Sequence, residues 1–175
     1  GRLFGQQGTL GIAAWSGAPF EMAAVVQPGS LHFTVGNVKN TSSIEELYAL
    51  TKKCARVLEG AHEAGEAGVY AGPWIAPNGP GEVLFNAVRL SFDSTAAEET
   101  AKAEIQGRED AWTMFELWRS RVPEFSDSYF VASGATVGAR ESRRIVGEAT
   151  LTADDVLNTR PQSDAIAKGS WYVDL

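Results

Sequence analysis

What this sequence has least of narrows its chemistry. It contains one cysteine, Cys54, which excludes an internal disulfide and any multi-cysteine zinc site. Its two histidines, His32 and His62, lie in separate segments, so neither a histidine-rich metal site nor a Ser-His-Asp arrangement is assigned, and no metal is expected. No apolar run approaches the ~18–20 residues of a membrane span. Cations are outnumbered, 15 Lys and Arg against 22 Asp and Glu, for a formal net charge of -7. That balance argues against nucleic acid or an anionic membrane as a partner. A strand followed by Gly-x-Gly-x-x-Gly and a helix, the phosphate cradle of dinucleotide-binding folds, is also missing. There is no basic segment leading into a long apolar one, so the cytoplasm is the expected compartment. Export stays open, because the chain does not begin with Met.

At 175 residues, with 44% hydrophobic content, the chain is long enough for one domain with its own core. Cys54 falls within a helical apolar pattern and is expected to be a buried structural thiol. Ser43 with Glu46 three residues on is a capping-box signal for a helix over 43–64. Its apolar positions are Ile44, Leu47, Tyr48, Cys54, Val57, Leu58 and Ala61. Thr95 with Glu98 predicts a second such start, for a helix running to Arg121 before Pro123. There the apolar stripe is Ala101, Ile105, Trp112 and Phe115, with Ala111, Met114 and Trp118 beside it, and Arg108 lies on it next to Gly107. A helix-breaking glycine next to a cation on a packed face implies close approach, either of another backbone with a salt bridge or of a ligand.

Strands are expected at 31–38, 82–90, 129–132 and 170–174, and short helices near 10–15 and 153–158. The Gly- and Pro-rich stretch 65–81 reads as loop with short strand pieces at Val69-Tyr70 and Trp74-Ile75. Asn86 interrupts the apolar run 82–90, so it either ties down a neighbouring loop or lines a ligand cavity.

The most unusual stretch is Gly138 to Glu148. Arg140, Arg143 and Arg144 crowd into five residues of an acidic chain, flanked by Val137, Ile145 and Val146. Read as a strand, it puts Arg140, Ser142 and Arg144 on one face, with Glu141, Arg143 and Ile145 on the other. Cations in a half-buried strand need partners. These are either protein carboxylates (Glu141, Glu148, Asp154, Asp155) or an anionic ligand.

Three ordered blocks carry a resemblance. They are Gly138-x-Arg140-Glu141-Ser142-Arg143-Arg144-Ile145-Val146-Gly147-Glu148, Leu151-Thr152-Ala153-Asp154-Asp155-Val156-Leu157, and Asp164-Ala165-Ile166-Ala167-x-Gly169-Ser170. Together they resemble the FAD-dependent oxidoreductases of the two-dinucleotide-fold type. Glu104-x-x-Gly107-Arg108, Asn86 with Arg89, and Gly17-Ala18-Pro19 after a short Ala-rich helix are similar to the family as well. Phe4-Gly5-Gln6-Gln7 stands where the family has Ala-Thr-Gly-Asp, which leaves Gly8 and Thr9 as the cofactor-side positions.

The resemblance implies a piece of a longer flavoenzyme, with 1–20 a remnant of the link to the FAD-binding domain and 28–175 the substrate-side domain. It implies FAD in the full-length protein but not held by this chain alone. The expected partners are a small-molecule substrate and an FAD-binding domain on the same or a companion chain. The expected architecture is α+β: a mixed, mostly antiparallel sheet with two main helices on one face, the other face turned toward the flavin. The residues expected to face substrate or flavin are Arg140, Arg143, Arg144, Ser142, Arg108, Asn86 and Arg89. His32 and Tyr172 are the candidates for a general base. The alternative is a non-catalytic binding module that keeps the fold without the flavin chemistry.

Overall fold

The computed structural model describes residues 28–140, 147–150 and 152–166. The chain divides into two compact units, Val26–Glu141 and a second combining Gly1–Val25 with Ser142–Leu175. The first holds five strands, β1 (Pro28–Gly36), β2 (Tyr70–Gly79), β3 (Glu82–Ser91), β4 (Tyr129–Ser133) and β5 (Gly138–Ala139), and two long helices, α1 (Ile44–Glu63) and α2 (Ala97–Arg121).

Every pairing in the sheet is antiparallel, in the order β2-β3-β1-β4, with β5 running along the same edge of β1 as β4. β1 and β2 are both antiparallel to β3, and β3 and β4 are both antiparallel to β1. The two helices therefore sit in β-α-β crossovers that each bridge one intervening strand. The result is the ferredoxin-like βαββαβ connectivity, an α+β fold.

Both helices cover one face of the sheet. Leu31, Phe33 and Val35 of β1 and Val83, Phe85, Val88 and Leu90 of β3 are buried beneath them. The alternation of β1, with Leu31 and Phe33 in and His32 out, is the period of a strand with one wet face. Phe33, Phe85, Trp118 and Phe125 stack through the core, with ring centroids 4.4 Å apart for Phe85 and Trp118. The Trp118 indole N–H donates to the Cys54 carbonyl at 3.2 Å and ties α2 to α1.

α1 starts as expected. Ser43 caps the Glu46 amide, and the Glu46 carboxylate returns to the Ser43 N–H. Such a cap contributes about 1 kcal/mol. Cys54 is fully buried, and burial, followed by the nearby Glu124 carboxylate, pushes its thiol far up. It is the structural thiol expected. Glu124 itself is buried and is held by Lys53.

Three local expectations are corrected. Residues 70–79 are not loop but an edge strand. It tolerates Pro73 and Pro77 because a strand paired on one side only has backbone N–H groups to spare. Thr95 does not cap α2. Its amide and hydroxyl bond Asp93 at 2.8 and 2.7 Å, and the N-cap is Ala96, with no side-chain cap. Phe115, Ala111, Met114 and Trp118 of α2 are buried as expected, but Ala103 and Gly107 complete the packed face while Ile105 and Trp112 stay 63% and 53% exposed. The small residues win that face because they let the helix lie close to the sheet.

In the second unit, Thr152 and Asp155 cap the short helix α3 (Ala153–Leu157) reciprocally, as expected. Arg160 pairs with Asp154 and, at 3.6 Å, with Asp155. The expected helix at 10–15 and strand at 170–174 lie outside the described residues. So does most of the arginine stretch: β5 opens it, and residues 141–146 are not described.

Candidate functional site

Among the described residues, the face of the sheet turned away from α1 and α2 carries polar side chains in register. Paired residues share a face, so the ladder reads out its rows. One row runs Trp74, Asn86, His32 across β2, β3 and β1. The next, toward one end of the sheet, runs Arg89, Ser30, Gly138 across β3, β1 and β5. Toward the other end lies Ala76, Leu84, Thr34, Ala132. Cross-strand neighbours stand about 5 Å apart and successive rows on one face about 6–7 Å apart.

A single irregularity makes this possible. Asn86 and Arg89 are three apart, and strict alternation would turn Arg89 into the core. Leu31 pairs with Val88 and His32 with Asn86, so Ala87 is an extra residue on β3. Ala87 and Val88 are both buried, and Arg89 returns to the open face. Bulges of this kind re-aim side chains at functional edges.

One turn of α2 fastens these rows from beneath. Gly107 lies against the sheet, where an added Cβ would come within 3.0 Å of Leu90 and 3.4 Å of Leu31, the neighbours of Arg89 and of Ser30 and His32. A larger residue there would require the Leu90 side chain to give by a few tenths of an ångström. Glu104 accepts the Val137 N–H at 2.8 Å and pairs with Arg108. The Arg108 guanidinium also donates to the carbonyls of Ala135 at 3.1 Å and Gly134 at 3.4 Å. The Glu104-x-x-Gly107-Arg108 run is thus a docking and clamping device for the loop that feeds β5.

The Arg108 hydrogen bond, and then the Val137 amide, hold the Glu104 carboxyl below its usual range. A carboxylate with a lowered folded pKa contributes stability that is complete above the unfolded pKa and lost as pH falls through the folded one. Glu104→Ala is therefore expected to speed amide hydrogen exchange at Val137, at a cost of about 1 kcal/mol. In the wild type, Val137 protection should drop only below the ordinary glutamate range. Unchanged exchange in the variant would show that the loop is held by something else.

The sequence-derived residues fall into three groups. Asn86 and Arg89 come together on the open face, with His32 in the Asn86 row. Arg140, exposed, follows β5 directly. Arg108 belongs to the helix layer, engaged by Glu104 and the 134–135 carbonyls. Arg143, Arg144, Ser142, Gly8, Thr9 and Tyr172 lie outside the described residues. Sequence reasoning missed Trp74, Ser30 and Gly138. The signal for Ser30 was period-2 alternation extended two residues back from His32; for Trp74 and Gly138 the pairing register was needed.

A second concavity, a cleft of about 590 Å³, opens on the helix side at the end of β3. Arg89, Glu99, Lys102, Gln106 and Asp110 are among the residues that line it. Burial raises the Asp110 pKa against the opposing Gln106 hydrogen bond. Glu99 pairs with Lys102 at 2.8 Å, and Asp110 accepts from the Gln106 amide at 2.9 Å.

No helix among the described residues is long and apolar enough to cross a membrane. No curated protein matches the chain. No solved structure matches it either. A family model described as FAD dependent oxidoreductase matches residues 6–175, nearly the whole sequence. The chain belongs to the FAD dependent oxidoreductase family.

Proposed function

We infer that the Val26–Glu141 unit is the substrate side of a flavoprotein oxidoreductase, holding a small anionic or polar organic substrate against the flavin. The observation that supports this is the row Trp74, Asn86, His32 on the face that no helix among the described residues covers. The indole offers a flat apolar wall, the amide both a donor and an acceptor, and the imidazole a group that holds or takes a proton.

The family supplies FAD as the cofactor. Among the described residues no strand leads through a glycine turn into a helix, so they do not fit the dinucleotide phosphates. What fits is the ring end: a strand-built surface with a half-exposed tryptophan. The flavin, when bound, supplies the two-electron acceptor. This chain's residues bind, orient and shield the substrate. The test compares two tryptophans. Trp74→Ala, on the open face, should slow substrate-driven flavin reduction, and Trp112→Ala, in the helix layer, should not.

A further inference from the structure

We propose that Arg89, Ser30 and Gly138 form a cradle for the carboxylate of a small organic acid, the class of substrate this face takes. The inference rests on the open face being the substrate side. The three residues stand in one row, Arg89 opposite Ser30 and Ser30 opposite Gly138. Gly138 leaves the space beside the serine bare. A Cβ there would lie 3.8 Å from the Ser30 hydroxyl oxygen and 3.5 Å from its carbonyl, which is ordinary contact. Any side chain would occupy the spot without disturbing the strand, and glycine keeps it open.

Arg89 flanks this floor. It is partly buried and also lines the helix-side cleft beside Glu99, Lys102 and Asp110. A partly desolvated guanidinium is stabilised by an anion held against it. Of the acids lining the same cleft, Glu99 is paired with Lys102 and Asp110 accepts a hydrogen bond from the Gln106 amide. One guanidinium and one hydroxyl match one carboxylate, through two parallel N–H donors and one O–H donor. The Trp74, Asn86, His32 row begins about 7 Å further along β1. The acid that fits therefore has a flat or apolar body of about that length, lying on Trp74 with its far end at Asn86 and His32.

The probe is phenylacetate against its isosteric amide, phenylacetamide, titrated into the flavin-loaded protein by calorimetry and by the flavin absorbance spectrum. Phenylacetate should bind the wild type, and both Arg89→Gln and Gly138→Ala should weaken it ~10- to 100-fold with Tm unchanged. The amide should bind weakly to all three. Equal binding of acid and amide by the wild type, absence of binding included, overturns the cradle, as does a phenylacetate affinity unmoved by both substitutions. If Trp74→Ala abolishes binding while those two do not, the cradle fails and the face stands. If binding is indifferent to all three, the face reading fails with it.

Discussion

Trp118→Ala is expected to destabilise the fold by about 3–5 kcal/mol, the cost of emptying a large aromatic site in a close-packed core. Trp118 is fully buried, with ring centroids 4.4 Å from Phe85, 5.8 Å from Phe33 and 6.0 Å from Phe125. It touches the sheet through the two phenylalanines and α1 through the Cys54 carbonyl. Losing it opens a cavity where the sheet and both helices meet and removes the indole hydrogen bond to the Cys54 carbonyl. Domains of this size have about 5–15 kcal/mol in total, so much of the stability goes. Trp118→Phe separates the two contributions. It keeps most of the stack and removes the hydrogen bond, for about 1–2 kcal/mol. Urea unfolding of both variants is the measurement. A loss under about 1.5 kcal/mol for the alanine variant would mean that the aromatic column does not hold the helices to the sheet.

The second large effect is on turnover. Trp74 and Trp112 are similarly exposed, at 45% and 53%, and differ in what they face. Trp112 leans on Phe115 and Phe130 in the helix layer, with centroids 5.4 and 5.6 Å away. Its removal should lower Tm modestly and leave kcat/KM for flavin reduction within about twofold. Trp74 heads the open-face row beside Asn86. Without its wall the substrate is misplaced relative to the flavin, and misplacement of about 1 Å costs on the order of 100-fold. Trp74→Ala should therefore cut kcat/KM by roughly 10- to 100-fold with little change in Tm. The reverse pattern, with Trp112 controlling turnover, would move the site to the helix layer.

Much of the fold was legible because local and tertiary signals agreed. Ser43 and Glu46 form the box their spacing announces, and Thr152 with Asp155 does the same for α3. Leu31, Phe33 and Val35 alternate as a one-sided strand should. Where the reading failed, a partner decided the outcome. β2 carries the prolines and glycines of a loop, and only its edge position beside β3 makes it a strand. Asp93 draws Thr95 away from the helix start. Along α2 the expectation failed at Ile105 and Trp112, and the small Ala103 and Gly107 took the core face because close approach favoured them.

The site was legible in pieces. Asn86 and Arg89 could be singled out from the sequence, but their common face depends on a single-residue bulge that period-2 reasoning cannot see. Gly107 and Arg108 did mark close approach, and what approaches is Leu90, Leu31 and the 134–137 loop. The row itself exists only once the register is known, since Trp74, Asn86 and His32 come from three separate strands.

The measurement that bears most directly on this account is a crystal structure of the flavin-loaded protein. The expected result places the isoalloxazine ring over the helix-free face, across from Trp74, Asn86 and His32, with room for a small substrate between. A ring seated on the helix side, near the cleft of Lys102 and Asp110, or an open face filled by other parts of the protein, would contradict it.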